Sequence, residues 1–311
     1  MLDYLSDILN RLSLEGTLYF RTSFTEPWGV TVPSYQNVAR FHYVHKGDCI
    51  INLVGSDREV HLRQGDLVLI PHGASHTLTC RLTNPDEAPP LDDVLQKSGY
   101  DGNGLLVYGG LEPAHHTQLI CGHFSIAPGS KHLLFDRLPS IIHVNDYGPD
   151  VGDWLETTLR LIGSEAGQSR LGGDIIALKI SEAIFAQAIR RCIEGAGDDT
   201  AQLSGFADVN ISRALNAFHR APARQWTVDQ LAQEAALSRT SFAVRFSEKL
   251  GLTPMQYVTS WRVQLARDAL LTQNASVAEA ADQAGYSSEA AFSRVFKKEM
   301  GLSPAKYREL N

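Results

Sequence analysis

The sequence predicts an α+β protein: a β-rich N-terminal half that closes in helices, followed by an all-α C-terminal region of two tandem helix-turn-helix units. Short β-branched and aromatic runs, cut by Gly, Pro and Asp, fill residues 17 to 145, the pattern of a barrel or sandwich. Beyond Val151 the apolar period lengthens from two to about 3.6. The last hundred residues then contain one unit twice, about fifty positions apart.

At 311 residues the chain has room for two domains, and 43% hydrophobic with 20% charged residues is a globular composition. No run of ~18 apolar residues is present to cross a membrane, and Met1 to Arg21 lacks the apolar stretch of a signal peptide. Cys49, Cys80, Cys121 and Cys192 form neither a CxxC nor a disulfide-scaffold spacing. A cytoplasmic protein with reduced thiols is expected. The net charge of -7 divides unevenly. Residues 1–205 carry 15 Lys and Arg against 25 Asp and Glu, a net of -10; residues 206–311 carry 13 against 10, a net of +3. Positive charge therefore sits where phosphate contacts would need it.

Strands are predicted at Ala39–His45, Cys49–Val54, Asp66–Ile70, His76–Arg81, Leu105–Tyr108 and Leu119–Ile126. The polar, Pro-rich stretch from Thr83 to Asn103 reads as a surface loop. Trp154, Leu155, Leu159 and Ile162 fit one helix. Ile175, Ile176, Leu178, Ile180, Ile184, Phe185, Ala188 and Ile189 fit a second that is apolar on more than one face. Part of it should pack on the sheet and part is available for a partner subunit, which makes it a dimerisation segment. Gly195 to Thr200 has linker composition. The expected division is 1–195, a linker at 196–205, and 206–311.

Everything after the linker reads as helix. Asp208–His219 is one. Thr227/Gln230 and Ser276/Glu279 have capping-box spacing, which starts the first helix of each repeat. Thr253-Pro254 and Ser303-Pro304 set an N-cap hydroxyl before a Pro at the first helical position. Gly251 and Gly301 stand where a helix ends in a left-handed residue. Between the repeats, Pro254 to Leu271 is an uninterrupted helical pattern that would fix their spacing. In the second helix of the second unit, Phe292, Val295, Phe296 and Met300 form a buried face, leaving Glu289, Ala290, Ser293, Arg294 and Lys297 outward. In the first unit Phe242, Phe246 and Leu250 are buried. Arg239, Thr240, Ala243 and Val244 then point outward, with Arg245 nearer the edge. Arg294 can read guanine bidentately, Ser293 is a weaker reader, Lys297 suits a phosphate, and Val244 can touch a thymine methyl. Double-stranded DNA is the expected partner.

At these residues the chain resembles the AraC/XylS family of bacterial transcription regulators. Gly285-Tyr-Ser-Ser-Glu-Ala-Ala-Phe-Ser-Arg-Val-Phe-Lys-Lys-Glu-Met-Gly-Leu-Ser-Pro-Ala-Lys-Tyr-Arg308 follows the family signature, and the first copy departs where Val244 stands in place of a frequent Arg. The resemblance spans residues 208–308. It implies promoter binding through two recognition helices in successive major grooves, contact with RNA polymerase, and more often activation than repression.

Gly65-Asp-Leu-Val-Leu-Ile-Pro71-His-Gly73-Ala-Ser-His76-Thr-Leu-Thr-Cys80 resembles the second motif of cupin barrels, with Cys80 where that family ends in Asn. The first cupin motif fits poorly: Arg40 occupies its usual Glu position and no His-x-His pair precedes it. The resemblance implies a cupin-like sensor barrel without the usual metal triad. Side-chain alternation turns Arg40 and His42 to one face and Cys121 and His123 to one face. His42, His76, Cys121 and His123 are therefore candidates to bind an effector, zinc or another thiophilic metal. Cys121 is also a redox candidate. Against these stands a barrel lined by satisfied residues around an unknown small effector. Two rivals remain: a cupin metalloenzyme with accessory helices, and a constitutive DNA-binding protein whose barrel is only a scaffold for a homodimer.

Overall fold

The computed structural model describes residues 3–11, 15–56, 58–102, 104–110, 115–127, 129–130, 132–145, 157, 171–195 and 203–310. The first helix is α1 (Tyr4–Arg11). Strands β1 (Glu15–Thr25), β2 (Gly29–Val32), β3 (Val38–Lys46), β4 (Asp48–Leu53), β5 (Glu59–Arg63), β6 (Leu67–Ile70) and β7 (His76–Thr79) follow, then α2 (Leu91–Ser98), β8 (Leu105–Gly109), β9 (His116–Ser125), α3 (Leu133–Asp136), β10 (Ile142–Val144) and α4 (Gly173–Glu194). The remainder is helical: α5 (Ser204–Ala207), α6 (Val209–Arg220), α7 (Val228–Glu234), α8 (Arg239–Leu250), α9 (Pro254–Thr272), α10 (Val277–Gln283), α11 (Glu289–Met300) and α12 (Pro304–Leu310).

The chain divides into two compact units. The sheet unit comprises Leu14–Pro128 and Pro139–Arg191; the helical unit comprises Met1–Ser13, Gly129–Leu138 and Cys192–Asn311. Residues 196–202 of the expected linker lie outside the described residues, as do Trp154, Leu155, Leu159 and Ile162.

In the sheet unit a six-stranded sheet, β10-β6-β3-β9-β1-β8, and a four-stranded sheet, β2-β7-β4-β5, share one core. Phe24, Trp28, Val44, Ile51, Leu62, Val68, Ile70, Leu78, Leu119 and Cys121 fill it. Alternation places Phe41, Tyr43, Leu67, Leu69, Ile120 and Phe124 on the opposite face of the larger sheet. That face is covered by α4, whose Phe185 ring stands 4.5 Å from Phe124. A narrow apolar groove lies there, lined by these residues with Ser181, Ile184 and Phe185. Ile184, Phe185, Ala188 and Ile189 are buried, whereas Ile175 and Ile176 remain 54% and 44% exposed. The expected loop at 83–103 contains a helix: Leu91, Val94 and Leu95 keep helical spacing, Val94 is fully buried, and Gly99 caps α2 in the left-handed region.

The helical unit follows its punctuation. Capping boxes form at Thr227/Gln230, Thr253/Gln256 and Ser276/Glu279. Gly251 and Gly301 end α8 and α11 at φ of 62° and 79°. Two segments distant in sequence join this unit. In α1, the Tyr4 hydroxyl donates to the Phe206 carbonyl at 2.8 Å. In the 129–138 stretch, Arg137 donates to the Leu250 carbonyl at 2.7 Å, satisfying an open carbonyl at the end of α8.

Gly122 in β9 has no room for a side chain: a Cβ there would stand 2.5 Å from the Thr17 carbonyl and 2.6 Å from the Phe41 ring. Gly122→Ala is expected to destabilise the sheet unit by about 1–3 kcal/mol, the usual cost of overpacking. A urea midpoint equal to that of the native chain would show that β1 and Phe41 yield without cost.

Candidate nucleic-acid interface and barrel cluster

The first recognition helix, α8, starts at Ser238, whose hydroxyl accepts from Ser241 N–H. Phe242, Phe246 and Leu250 are buried, which turns Arg239, Thr240 and Val244 to solvent. Val244 is 51% exposed. Arg239 holds only a surface pair with Asp229 at 3.0 Å. Arg245 differs. Its Nε and Nη2 lie 2.8 Å and 2.6 Å from one oxygen of Asp208, whose side chain is 2% exposed. Asp208 also caps α6 by accepting from Asn210 and Ile211 N–H. Burial would raise the Asp208 carboxyl; hydrogen bonds from Arg245 and Ile211 outweigh it and hold the group below its ordinary value. Arg245 is thus committed to anchoring α8 on α6.

The second recognition helix, α11, starts at Ser288, which accepts from Ala291 N–H. Phe292 and Phe296 are fully buried. Glu289, Ala290, Arg294 and Lys297 are exposed and Ser293 is half-buried on the same side. Val295 and Met300, expected to be buried, are only half so. Among the described residues neither Arg294 nor Lys297 makes an ion pair. Lys297 and Lys298 in the last turn and Glu289 in the first complement the helix dipole.

In the sheet unit, β3 and β9 pair so that Arg40 faces His123 and His42 faces Cys121. His42 Nδ1 lies 3.0 Å from Cys121 Sγ and His42 Nε2 lies 2.8 Å from His76 Nε2. His76 Nδ1 lies 2.9 Å from the Ala74 carbonyl, which can only accept. The proton of neutral His76 therefore sits on Nδ1. His42 donates through Nε2 and accepts the Cys121 thiol proton at Nδ1. Burial, reinforced by the charges of His76 and Arg40, drives His42 well below its ordinary value; burial and Arg40 bring His76 to about 4 against the hydrogen bond to the Ala74 carbonyl. Burial pushes the Cys121 thiol up to about 12, although Arg40 opposes it.

The four-residue metal set expected from the sequence is corrected by this geometry. His42, His76 and Cys121 come together as a line with His42 in the middle, not as donors converging on a point. Their lone pairs are used on one another. His123 lies 3.1 Å from Ser125 Oγ. Among the described residues no group of three or more His, Cys, Asp or Glu could hold a metal ion, so the donor set does not fit one.

A second buried chain was not legible in the sequence. Asp7 Oδ2 accepts from His219 Nδ1 at 2.8 Å, His219 Nε2 lies 2.8 Å from the Tyr257 hydroxyl, and that hydroxyl lies 3.1 Å from His132 Nε2. Leu134 N–H donates to His132 Nδ1, so His132 carries its proton on Nε2 and donates to Tyr257. Tyr257 in turn donates to His219. The chain ties α1 and the 129–138 stretch to α6 and α9. No local motif announces it, because its four members come from four separate elements.

The Cupin family model matches residues 3–194 and the Helix-turn-helix domain model matches residues 231–310. An AraC-like transcription regulator of Streptomyces lividans is 32% identical over 309 residues, 99% of this chain and 98% of that one. The HTH-type transcriptional regulator AlkR of Acinetobacter baylyi is 28% identical over 312 residues, 99% of each chain. Among solved structures, the DNA-binding domain of AdpA in complex with a target DNA is 32% identical, covering 33% of this chain and 92% of its own, with a TM-score of 0.32.

Two outcomes follow from the barrel cluster. In the unfolded chain His76 titrates near 6.5 and in the folded unit near 4. The unfolded state therefore takes up the proton first as pH falls. Stability that is complete above pH 6.5 is lost down to about 4, a loss on the order of 3 kcal/mol from this ring, with His42 adding to it in the same direction. Urea midpoints of the sheet unit that stay constant across that window would contradict buried neutral rings. Native Cys121 should also resist iodoacetamide at pH 8 and react once the chain is unfolded, as read by peptide mass spectrometry. Prompt native labelling would make it an accessible thiolate.

Proposed function

The chain belongs to the AraC-like transcription regulators, DNA-binding proteins carrying here an N-terminal cupin domain, and we propose from that premise that α8 and α11 read promoter DNA in two successive major grooves. One observation carries the reading: two helices with the same Phe pair buried, the same left-handed Gly stop, and a polar or basic face left open. Arg294, exposed and without an ion pair among the described residues, suits guanine O6 and N7. Ser293 and Glu289 are secondary readers, Ala290 and Val244 suit thymine methyls, and Lys297 suits a phosphate. Arg239 and Thr240 serve the first half-site, because a surface ion pair such as that to Asp229 is worth only about 0–1 kcal/mol and exchanges readily for DNA. Arg245 acts indirectly, by holding α8 in place.

The chain acts as a cytoplasmic regulator rather than a catalyst. A homodimer formed through α4, an effector taken by the sheet unit, and activation through RNA polymerase complete the proposal. The exposed Ile175 and Ile176 support the dimer surface. Among the described residues no helix is long and apolar enough to cross a membrane.

Arg294→Ala is expected to weaken binding to the chain's own upstream DNA by about 1–3 kcal/mol while leaving binding to random duplex nearly unchanged. Titration of both DNAs at one salt concentration decides it. Equal losses on the two would demote Arg294 to a phosphate contact.

A further inference from the structure

Arg262 lies in the helix that joins the two helix-turn-helix units, yet it reaches out of that helix. It is 8% exposed. Its Nε donates to the Pro222 carbonyl at 2.9 Å and its Nη2 to the Arg224 carbonyl at 2.6 Å. Both carbonyls belong to the loop between α6 and α7, just before the first unit. The other side of the guanidinium faces the Tyr286 ring at 5.9 Å. Tyr286 lies in the turn of the second unit and packs on Phe292 of α11, with ring centroids 5.5 Å apart.

The same loop meets the second unit directly. Gln225 Nε2 donates to the Gly285 carbonyl at 2.9 Å. Gly285 has a φ of +78°, and a Cβ there would stand 2.5 Å from the Ala223 carbonyl. The approach of backbone to backbone at this point therefore requires glycine. The loop ahead of the first unit is docked on the turn of the second, with a buried cation between them.

A single helix between two small domains leaves bending and twisting at its ends. A second tether removes that freedom. Only a planar fork can serve both carbonyls of the loop and still lie against an aromatic ring, which is chemistry Lys lacks. We propose that Arg262, with Gln225 and Gly285, sets the separation and angle of α8 and α11 and so makes the protein selective for the spacing between its two half-sites. Arg262 touches no base; it is a positioning residue. This rests on the reading that both helices engage one DNA.

The geometry has a direct consequence on DNA. Each inserted base pair moves the second half-site by roughly 3.4 Å and turns it by roughly 35°. A rigid pair of units cannot follow, and a loosened pair can.

Two measurements on the full chain test this. The first needs no DNA: the distance distribution between genetically encoded spin labels at the exposed positions Glu248 and Glu299, read by pulsed dipolar spectroscopy. The native chain should give one narrow distribution. Arg262→Gln should broaden it, and Gln225→Ala, at an exposed position that leaves the buried cation in place, should broaden it less. Arg262→Lys should not restore the native width. The second measurement compares affinity for the native upstream site with affinity for sites carrying one or two inserted base pairs. The native chain should lose on the order of tenfold or more per site, as when a base contact is given up. The two loosening variants should bind the native site more weakly but discriminate less than about threefold between spacings. Narrow distributions in both variants would overturn the proposal, and so would a spacing penalty equal to the native one. Should Arg262→Gln fail to fold, Gln225→Ala decides by the same criteria. Failure of base reading would appear separately, as an Arg294→Ala variant with undiminished specificity and unchanged distances.

Discussion

Both recognition helices depend on the burial of α9. Tyr257, Val258, Trp261, Val263, Leu265, Ala266, Ala269 and Leu270 are buried around its circumference, and Arg262, Gln264 and Arg267 are buried among them. A helix enclosed on every side is ordinarily apolar throughout. The charged members can stay inside only if every donor finds an acceptor. Arg262 finds two loop carbonyls, and Arg267 finds Asp268 at 2.8 Å, Ser130 at 3.1 Å and the Tyr307 hydroxyl at 3.2 Å. Each requirement fixes a neighbouring segment: the loop before the first unit, the 129–138 stretch and α12. The need to satisfy cations inside one helix thereby orders the elements around it.

The same logic separates two kinds of basic residue in this unit. Arg245, Arg262 and Arg267 are held by buried or backbone acceptors and serve the fold. Arg294 and Lys297 have no such tie among the described residues, and Arg239 has only an exposed one. The excess of three positive charges over residues 206–311 thus understates how the field is arranged. Paired cations are neutralised at short range, and the unpaired ones lie on one face of each recognition helix, where a polyanion would meet them.

The parts of the structure written in local chemistry were legible beforehand. Caps, Gly stops, Phe pairs and the [ST]-Pro starts each act within a few residues, so the helical unit follows from the sequence almost element by element. Strand alternation likewise turned Arg40 with His42 and Cys121 with His123, and the β3–β9 register then sets His42 opposite Cys121. What was not legible is the content of long-range pairing. Asp208 stands at the start of a helical pattern, and nothing near it announces Arg245, 37 residues on. His132 lies beside a short helix, yet it completes a chain to Asp7 through His219 and Tyr257. The stretch at 83–103 was misread because prolines and acids dominate its composition, while three apolar residues at helical spacing decide its fold. The four-residue metal set failed for a related reason: alternation tells which face a side chain takes, but not whether two imidazoles point at each other or at a common centre.

That last distinction decides which chemistry each face of the larger sheet offers. In a metal site the imidazoles offer lone pairs to one point; here the Cys121–His42–His76 line consumes them in order and ends on a backbone carbonyl. Burial keeps all three groups neutral, and Arg40 adds to the pressure on the two rings. The apolar groove on the opposite face of the same sheet makes no such demand, because it has no charged group to displace. Strand β9 contributes to both faces: Cys121 to the inner line, Ile120 and Phe124 to the groove. It runs out at Ser125, and four residues later the chain enters the stretch that holds Arg267, Tyr257 and the end of α8. Strand β9, which contributes to the groove on one face and to the Cys121–His42–His76 line on the other, is therefore covalently continuous with the segment whose side chains fix α8 and α9.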